Sequence, residues 1–327
     1  MAEVIFGPVP SRRLGISLGI DLVPFKTCSL DCIYCELGRT AAPVAERREY
    51  IPFARLEKEI RAFFRDHPDP GLDCVTLSGS GEPTLNRALP QVIELLGRLT
   101  PTRLALLTNG TLFSDPAVRG EVAGLDLILP SLDTVSEDIF KALNRPAAGL
   151  SAAGLVRGLA ALRREFKGEI WLEILFCRGL NDHPAEIARL AAACQAIRPD
   201  RIQLNTVARP GALPTAVAVS RAFLEKILPR FGDRAEIIAS FKPAAKAPPA
   251  LAESIAAILA TLKRRPCTAT DLEEALGLKP AEIIKILDLL REKGEITARE
   301  HAGRTFYSAG HDKTCSGPGS DHGEAAP

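Results

Sequence analysis

The sequence of 327 residues lacks long hydrophobic runs, a strong net charge and a segment typical of a secretory leader. No run approaches the roughly 20 apolar residues that a transmembrane helix needs. Residues 1–6 lack the charged and apolar regions of a signal peptide. The net charge of +1 gives no whole-chain field that would attract a nucleic acid or a membrane. These absences argue against a membrane protein and favour an ordinary globular one.

Histidine is also scarce, with five residues, whereas the chain has eight cysteines. A disulfide scaffold is not expected in a chain of this length that has no secretory signal. Mostly unpaired cysteines instead fit a reducing cytoplasm. Three of the cysteines are close together in a C-x3-C-x2-C run, at Cys28, Cys32 and Cys35. The others are scattered along the chain, at Cys74, Cys177, Cys194, Cys267 and Cys315.

The C-x3-C-x2-C run predicts a metal centre. Iron–sulfur clusters are held by cysteine thiolates, and three local ligands leave one iron of a [4Fe–4S] cube without a protein partner. An open iron can bind and activate a small molecule, much as an open position distinguishes a catalytic zinc from a structural one. The spacing alone leaves a zinc site and a purely structural role open. Zinc is disfavoured because no second C-x2-C pair follows and no histidine lies near the run.

Short apolar runs alternate with segments of helical periodicity from about residue 15 to residue 235. Repeated strand–helix units predict an α/β fold with a parallel sheet. Six such units are too few for a closed eight-stranded barrel, so we expect an open, partial (βα)6 barrel. Strands are expected at 16–23, 74–77, 104–108, 125–132, 170–177 and 201–207, and helices at 56–64, 89–99, 155–166, 185–197 and 221–231.

Polar clusters fall at the carboxyl ends of the predicted strands, where ligands bind in such folds. These clusters are residues 28–35, 78–83, 108–110, 131–133, 177–178 and 205–206. The strand pattern and the positions of the polar residues agree, which is a stronger signal than either of them alone. We therefore expect one ligand site at this end of the sheet.

The chain changes character near residue 241. Residues 241–250, rich in Pro, Ala and Lys, indicate a linker between a domain of residues 1–240 and a second domain of residues 251–308. Three helices and a hairpin are expected in the second domain, which resembles a winged helix-turn-helix. Its nine Lys/Arg balance nine Asp/Glu, so contact with protein or substrate is at least as expected as contact with a nucleic acid. Residues 309–327 are predicted to be disordered.

The cysteine run, with Tyr34 just before its last cysteine, resembles the signature of the radical S-adenosylmethionine (radical SAM) superfamily. The resemblance implies that Cys28, Cys32 and Cys35 ligate a [4Fe–4S] cluster, whose open iron is chelated by the amino and carboxylate groups of S-adenosyl-L-methionine. It also implies that an electron from the reduced cluster splits the sulfonium, and that the resulting 5′-deoxyadenosyl radical takes a hydrogen atom from the substrate. An electron donor such as flavodoxin or ferredoxin is implied as well.

The segment Ser78–Pro83 resembles the GGE element of the same family. Its glycines, Gly79 and Gly81, are expected to let backbone groups approach the cofactor closely. The carboxylate of Glu82 is expected to pair with the ammonium group of the cofactor. The resemblance also implies that Tyr34 lies near the adenine. Taken alone, a glycine-rich strand end is usually just a tight turn.

Asn109, Ser131 and Asp133 match family positions that contact the ribose or the methionine moiety. Their polar groups can hydrogen-bond sugar hydroxyls, but each can equally cap the helix that follows. Glu173 and Asn205, on the fifth and sixth predicted strands, either point into the barrel or satisfy a core partner. Four cations near the cysteine run either place positive charge beside the cluster or an anionic substrate, or are simply exposed. They are Arg12, Arg13, Lys26 and Arg39.

The order of four motifs resembles one subgroup, the Fe–S oxidoreductases classed with the tRNA wyosine-synthesis radical enzymes. The motifs are residues 7–15, the cysteine run, residues 38–40 and residues 78–85, and the resemblance covers roughly residues 4–240. Wyosine-synthesis enzymes carry a second cluster on three cysteines further upstream, whereas no cysteine precedes Cys28 here. We therefore infer the superfamily chemistry and not the wyosine reaction.

Two functions of different classes remain at this point. The favoured one is a radical SAM enzyme that acts on RNA, a peptide or a small molecule. The alternative is a DNA-binding regulator whose cluster senses oxygen or iron while the C-terminal domain reads DNA. A pure sensor needs no cofactor cradle, so the polar residues at the predicted strand ends favour the enzyme.

Overall fold

The computed structural model describes residues 4–11, 13–68, 70–238, 251–278 and 280–310. Its main sheet has eight strands in sequence order: β1 (Ile5–Ser11), β2 (Gly15–Ile20), β3 (Cys74–Leu77), β4 (Arg103–Thr108), β5 (Leu127–Pro130), β6 (Glu169–Phe176), β7 (Arg201–Thr206) and β8 (Ala235–Ile237). β2 to β8 are parallel, whereas β1 is antiparallel to β2. Because β1 and β8 lie at opposite edges, the sheet is an open, partial barrel, and the predicted α/β class is confirmed.

Helices connect the parallel strands: α1 (Phe53–Asp66), α2 (Leu89–Leu99), α3 (Pro116–Glu121), α4 (Glu137–Leu143), α5 (Ala152–Glu165), α6 (Pro184–Ile197) and α7 (Arg221–Ile227). Five of them match helices that the sequence predicts. The sequence does not predict α3 and α4, which have six and seven residues, because so few residues hardly show a helical period. Over the described ranges, no helix is both long enough and apolar enough to cross a bilayer.

The sheet has two strands beyond the six that the sequence predicts. β1 contains Pro8 and Pro10, and its register with β2 shifts between Phe6 and Val9. Prolines are tolerated there because β1 lies at the edge of the sheet. β8 has only three residues, which are too few to show an alternating pattern. The prediction is therefore correct for the centre of the sheet and too short at both edges.

Alternate residues of the strands face the inside of the barrel. The layer nearer the amino ends of the strands is apolar and buried, and it includes Cys74, Ala105, Leu127 and Trp171. Two residues further along each strand, inward-facing side chains such as Thr76 and Glu173 line a cavity. The apolar layer thus closes the floor of the barrel, and the carboxyl ends of the strands surround its open side.

The loop after β5, residues 131–136, is fixed by the buried carboxylate of Glu186 in α6. This carboxylate accepts hydrogen bonds from Thr134 Oγ1 at 2.5 Å and from Val135 N at 2.8 Å. Arg189 Nη2 donates to it at 2.8 Å. Burial opposes ionisation of Glu186, but the donors of the loop and Arg189 outweigh burial and lower its pKa to about 2. A carboxylate at the beginning of α6 therefore holds a loop that contributes to the site.

The C-terminal unit consists of α8 (Leu251–Arg264), α9 (Ala269–Leu276), α10 (Pro280–Glu292) and an antiparallel hairpin of β9 (Ile296–His301) and β10 (Arg304–Ala309). It has its own apolar core, which includes Ile258, Leu262, Leu272, Ile283 and Leu287. Thr268 caps α9 in a reciprocal capping box with Asp271. The three helices and the hairpin occur in the predicted order, and the winged-helix assignment stays a prediction.

Two expectations for the C-terminal part fall on residues that the structure does not describe. The predicted linker, residues 241–250, lies outside the described residues, and so do residues 311–327 of the predicted tail. Ala309, which the sequence analysis assigns to the tail, instead ends β10. The domain boundaries therefore stay predictions.

Gly158 tests the packing of α5. A Cβ at Gly158 would lie 2.6 Å from the backbone of both Phe113 and Ser114, whereas a Cβ at Gly97 of α2 would meet nothing within 4 Å. We expect Gly158→Ala to lower the free energy of unfolding by about 1–3 kcal/mol, because backbone atoms must shift. Gly97→Ala should raise it by up to about 1 kcal/mol, since alanine has the higher helix propensity. Urea unfolding followed by circular dichroism measures both, and equal effects would contradict this packing.

Glu186 predicts a pH dependence of stability. Its pKa is lowered from 4.5 to about 2 in the folded protein, so its charge stabilises the fold above pH 4.5 and loses this effect as the pH falls toward 2. We expect Glu186→Gln to lower the free energy of unfolding by about 2–3 kcal/mol at pH 7, and the loss to shrink below pH 4.5. Thermal unfolding of both proteins across this pH range measures the difference.

Glu94→Gln is the control for that experiment. Glu94 forms an exposed ion pair with Arg98 on α2, and exposed pairs contribute about 0–1 kcal/mol. The control should therefore differ little from the parent at any pH. A loss in Glu186→Gln that stays constant down to pH 3 would show that the charge of Glu186 does not hold the loop.

Candidate active site

The three cysteines of the C-x3-C-x2-C run lie on one loop between β2 and α1, and each of them is half-buried. A backbone hydrogen bond from Ile33 N to Leu143 O, at 3.0 Å, fastens this cysteine loop to the end of α4. The buried carboxylate of Asp31 holds its middle, since it accepts from Thr40 N at 2.7 Å and from Arg39 Nε at 2.9 Å. The loop is therefore a fixed platform for its thiols.

Each cysteine sulfur has a nitrogen donor from another position in the chain. The pairs are Lys26 Nζ and Cys35 Sγ at 3.1 Å, Asn144 Nδ2 and Cys32 Sγ at 3.4 Å, and Asn109 Nδ2 and Cys28 Sγ at 3.6 Å. Burial raises the pKa of Cys28 to about 12 and the pKa of Cys32 well above its usual range. A thiolate at these positions needs stabilisation, and the three nitrogen donors supply part of it.

Within the described ranges, no group of three or more His, Cys, Asp or Glu side chains is arranged to hold a single metal ion. Ligands around a zinc ion with bonds of about 2.3 Å lie only about 3.8 Å from one another. An iron–sulfur cube takes each thiolate on a different iron, so its ligands are further apart. A cube and a zinc ion therefore place different demands on the spacing of the three thiols.

The loop after β3 lies directly against the cysteine loop. Lys26 N donates to Ser80 O at 2.6 Å, and Glu82 N donates to Thr27 O at 2.9 Å. At Gly81, a Cβ would lie 2.0 Å from the same Thr27 oxygen. The contact of two protein loops therefore requires glycine at position 81. The sequence predicts a different reason, which is close approach of a cofactor.

Gly79 is constrained in a similar way. Its φ is +125°, and a Cβ there would lie 1.9 Å from Asp21 Oδ1. Asp21 occupies this space because its carboxylate accepts from Ser80 N at 2.5 Å and from Ser80 Oγ at 3.0 Å. Both glycines of the predicted GGE element thus permit close packing within the protein.

Glu82 is buried and accepts four hydrogen bonds. The donors are Thr84 N at 3.0 Å, Thr84 Oγ1 at 2.6 Å, Thr108 Oγ1 at 2.7 Å and Asn109 N at 2.7 Å. Burial raises the pKa of Glu82, and these donors oppose the rise. The carboxylate joins the end of β3 to the end of β4. It also lines the cavity, and its pairing with a cofactor ammonium group stays a prediction.

Tyr34 and Asp133 form a hydrogen-bonded pair. The Tyr34 hydroxyl donates to the buried Asp133 carboxylate, which also accepts from Asn144 Nδ2 at 2.8 Å and from Leu175 N at 3.0 Å. Burial raises the pKa of Asp133 to about 6, against these donors. Asp133 is not part of the cavity lining, and Ser136 occupies the N-cap position of α4, without a capping hydrogen bond from its side chain. The geometry therefore gives Asp133 a third role, which is to fix Tyr34.

The side chains of Asn109 and Ser131 differ in the hydrogen bonds that they form with the rest of the protein. The Asn109 amide donates to Ser29 Oγ at 2.8 Å and accepts from Thr111 N at 3.0 Å, so it binds the turn that follows β4. The Ser131 hydroxyl has no hydrogen-bond partner within the part of the chain that the structure describes. Both residues line the cavity, but only Ser131 has a polar group that is free to bind a ligand.

A cavity of about 490 Å³ lies at the carboxyl ends of the strands, within the usual volume range of cofactor sites. Of the ten site residues that the sequence predicts, eight line it: Cys28, Tyr34, Cys35, Gly79, Gly81, Glu82, Asn109 and Ser131. Cys32 and Asp133 lie just outside the lining. The structure therefore brings the predicted residues to one place.

Glu173 and Asn205, whose orientation the sequence leaves open, both line this cavity. Asn205 Nδ2 donates to Glu173 Oε1 at 2.8 Å, and Arg13 forms an ion pair with Glu173. Of the other cations near the cysteine run, Arg12 lies outside the described residues. Arg39 pairs with the carboxylate of the cysteine loop and does not face the cavity.

The C-terminal unit completes the wall of the cavity, which the sequence does not predict. α8 and the residue after it contribute Ala260, Thr261, Arg264 and Arg265. Arg264 forms an ion pair with Asp21, donates to Ser80 Oγ at 3.0 Å, and lies over the Phe6 ring at 3.8 Å from its centre. No local pattern identifies these partners, because they are more than 180 positions away.

The sequence model of the Radical SAM superfamily matches residues 22–191, which is more than half of the chain. The open α/β barrel and the three cysteines beside its strand-end cavity agree with this match. The protein belongs to the radical SAM superfamily. It is accordingly an enzyme of the radical SAM type, and its cofactors are a [4Fe–4S] cluster and S-adenosyl-L-methionine. Membership of the wyosine-related subgroup stays a prediction.

The chain is also similar to three individual proteins. "GTPase Obg" of Brachyspira hyodysenteriae is 36% identical over 222 residues, which are 68% of this chain and 32% of that protein. A "UPF0026 protein" of Helicobacter pylori is 29% identical over 311 residues, 94% of this chain and 97% of that protein. The crystal structure of a radical SAM methyltransferase from Sphaerobacter thermophilus gives a TM-score of 0.48 at 16% identity, over 68% of this chain and 65% of that one. The chain thus spans about a third of the Brachyspira protein.

Gly81 tests the contact between the cysteine loop and the loop after β3. We expect Gly81→Ala to push these loops apart, because its Cβ would overlap the Thr27 carbonyl. Iron and sulfide bound per chain after anaerobic reconstitution should then fall several-fold. Gly120→Ala on α3, where a Cβ meets nothing within 4 Å, should leave both contents unchanged. Full iron content in Gly81→Ala would show that the cluster does not depend on this contact.

Proposed function

We propose that Cys28, Cys32 and Cys35 hold the [4Fe–4S] cluster of this enzyme, and that S-adenosylmethionine binds in the cavity beside them. The observation that carries this proposal is that Cys28 and Cys35 share one cavity wall with the loop after β3. The three nitrogen donors directed at the sulfurs favour thiolates, the form that ligates iron. Three cysteine ligands leave one iron of a four-iron cube open for a small molecule.

The cluster, once bound and reduced, supplies the electron that cleaves S-adenosylmethionine to a 5′-deoxyadenosyl radical. The chain holds the cluster's ligands in fixed positions, through Asp31 and the backbone contacts of the cysteine loop. Lys26, Asn109 and Asn144 donate toward the sulfurs and stabilise their negative charge. The apolar floor of the barrel and the wall from α8 limit the access of water to the cavity.

Residues of the cavity divide into those that shape it and those with free polar groups. Glu82 and Asn109 shape it, since most of their hydrogen-bonding capacity serves other protein groups. The free hydroxyl of Ser131 is proposed to bind the cofactor directly. Tyr34, held by Asp133, is proposed to offer its ring to the adenine.

The electron donor and the compartment are also proposals. A flavodoxin or ferredoxin is proposed to reduce the cluster. All seven cysteines in the described part of the chain are free thiols, which supports a reducing compartment such as the cytoplasm. The position of α8 in the cavity wall supports a role of the C-terminal unit in the enzyme, rather than in a regulator that reads DNA. The substrate, whether RNA, a peptide or a small molecule, meets the radical in this cavity.

The proposal predicts that the chain forms 5′-deoxyadenosine. After anaerobic reconstitution and reduction with dithionite, the protein should convert S-adenosylmethionine to this product, which liquid chromatography with mass spectrometry quantifies. Replacing Cys28, Cys32 or Cys35 by Ala should abolish both the product and the visible absorbance of the cluster. Cys74→Ala and Cys194→Ala, at buried cysteines outside the run, should retain both signals.

Two results would refute parts of this proposal separately. A variant that lacks all three cysteines of the run but keeps the cluster absorbance would refute the ligand assignment. A reconstituted parent protein that binds the cluster but forms no 5′-deoxyadenosine would refute the proposed reaction.

A further inference from the structure

The cavity wall formed by α8 and the loop after β7 carries positive charge that the carboxylates of the protein do not fully neutralise. Four arginines line the cavity: Arg13, Arg209, Arg264 and Arg265. Arg13 pairs with Glu173, and Arg264 pairs with Asp21. Among the described residues, the guanidinium of Arg265 takes part in no ion pair and no hydrogen bond.

Arg209 is also incompletely paired. It is only 6% exposed, and its Nη1 lies 3.4 Å from Glu36 Oε1, a long distance for a charge-assisted pair. Its Nε is buried and has no hydrogen-bond partner within the described part of the chain. A guanidinium has five N–H donors, and leaving buried donors without acceptors is costly. Arg209 therefore has hydrogen-bonding capacity that the protein itself does not use.

Arg209 and Arg265 come from different parts of the chain and line the same cavity. Burial raises the pKa of the Cys267 thiol, and the charges of Arg265 and Arg209 both act in the opposite direction. Both guanidiniums thus lie within electrostatic reach of the same buried sulfur. The loop that carries Arg209 packs on the cysteine loop, since a Cβ at Gly211 would lie 2.8 Å from Tyr34 Cα. The two arginines therefore face the cavity between the cysteine loop and the C-terminal unit.

We propose that Arg265 and Arg209 form a subsite that binds an oxyanion of the substrate, a phosphate or a carboxylate group. The planar guanidinium donates two parallel hydrogen bonds to either group. The proposal rests on the proposed function, because it takes the same cavity as the place where the radical meets the substrate. It makes the substrate of this enzyme an anion.

The other charges of the cavity support an oxyanion rather than a cation. Glu173 is paired with Arg13, and Glu36 lies beside Arg209. Glu82 is satisfied by neutral donors. The described lining therefore carries four arginines against three carboxylates, and this balance of charge favours an anion over a cation. A neutral substrate would displace water from the guanidinium of Arg265 without supplying an opposite charge. Desolvating a charged group in this way is unfavourable.

Oxyanion binding to the full chain, reconstituted with its cluster and saturated with S-adenosylmethionine, tests this subsite. Inorganic pyrophosphate and succinate are the two probes, titrated separately by isothermal calorimetry, and the one that binds more tightly identifies the class of oxyanion. We expect Arg265→Gln to weaken binding of that probe about tenfold or more. Arg209→Lys keeps the charge but loses the planar fork, so a smaller loss is expected.

Lys263→Gln is the matched control, because Lys263 is an exposed cation of α8, two residues before Arg265, and does not line the cavity. It should bind the probe as the parent does. Equal losses in Lys263→Gln and Arg265→Gln, or no binding of either probe by the parent, would overturn the subsite. Probe binding that occurs only without S-adenosylmethionine would also overturn it, because the arginines would then bind the carboxylate of the cofactor.

The formation of 5′-deoxyadenosine without substrate separates this proposal from the proposed function. The parent and Lys263→Gln should form it at rates within about twofold of each other, since Lys263 does not line the cavity. Absence of this product from every protein would sink the proposed reaction while leaving the oxyanion titration valid. A normal rate together with an unaffected titration in Arg265→Gln would sink the subsite alone.

Discussion

The contact between the cysteine loop and the loop after β3 is the interaction on which the rest of the site depends. Two backbone hydrogen bonds, donated by Lys26 N and Glu82 N, join the loops. They fix the cysteines relative to the strand ends, because breaking them leaves partly buried backbone groups unpaired. Glycine at positions 79 and 81 permits this approach, since a Cβ at either would overlap Asp21 or the Thr27 carbonyl. One short contact thus couples the cysteine loop to the cavity at the strand ends.

Buried carboxylates fix the remaining loops in the same way. Each of them accepts a hydrogen bond from a backbone amide. Four accept it from another segment: Asp21 from Ser80, Glu82 from Asn109, Asp133 from Leu175 and Glu186 from Val135. Asp31 accepts it from Thr40 of its own loop. A carboxylate can be buried only when it is hydrogen-bonded or paired, so the loops must lie where the carboxylates find donors. A motif predicts that acidic residues at strand ends bind the ligand. Their hydrogen bonds to backbone amides also determine the shape of the ligand site.

Because the same carboxylates can bind a ligand and position loops, the sequence predicts some features of the structure and not others. The central strands and the cysteine run are local patterns, so the sequence predicts them and the end of the sheet at which they meet. The prolines of β1 obscure its strand pattern in the sequence, and only its pairing with β2 shows that it is an edge strand. The role of Asp133 depends on the Tyr34 hydroxyl, and the role of Arg264 depends on Asp21. Such contacts join distant positions and have no signature in a single sequence.

An open barrel also explains why the C-terminal unit belongs to the site. The two edge strands of the main sheet do not pair with each other, so β1 needs cover at its free edge. α8 packs beside β1, and Arg264 covers the Phe6 ring. The cysteines proposed to hold the cluster lie between β2 and α1, whereas the arginines of the proposed subsite follow α8 and β7. A change at Arg265 can therefore alter the proposed oxyanion subsite without altering the cysteine loop itself.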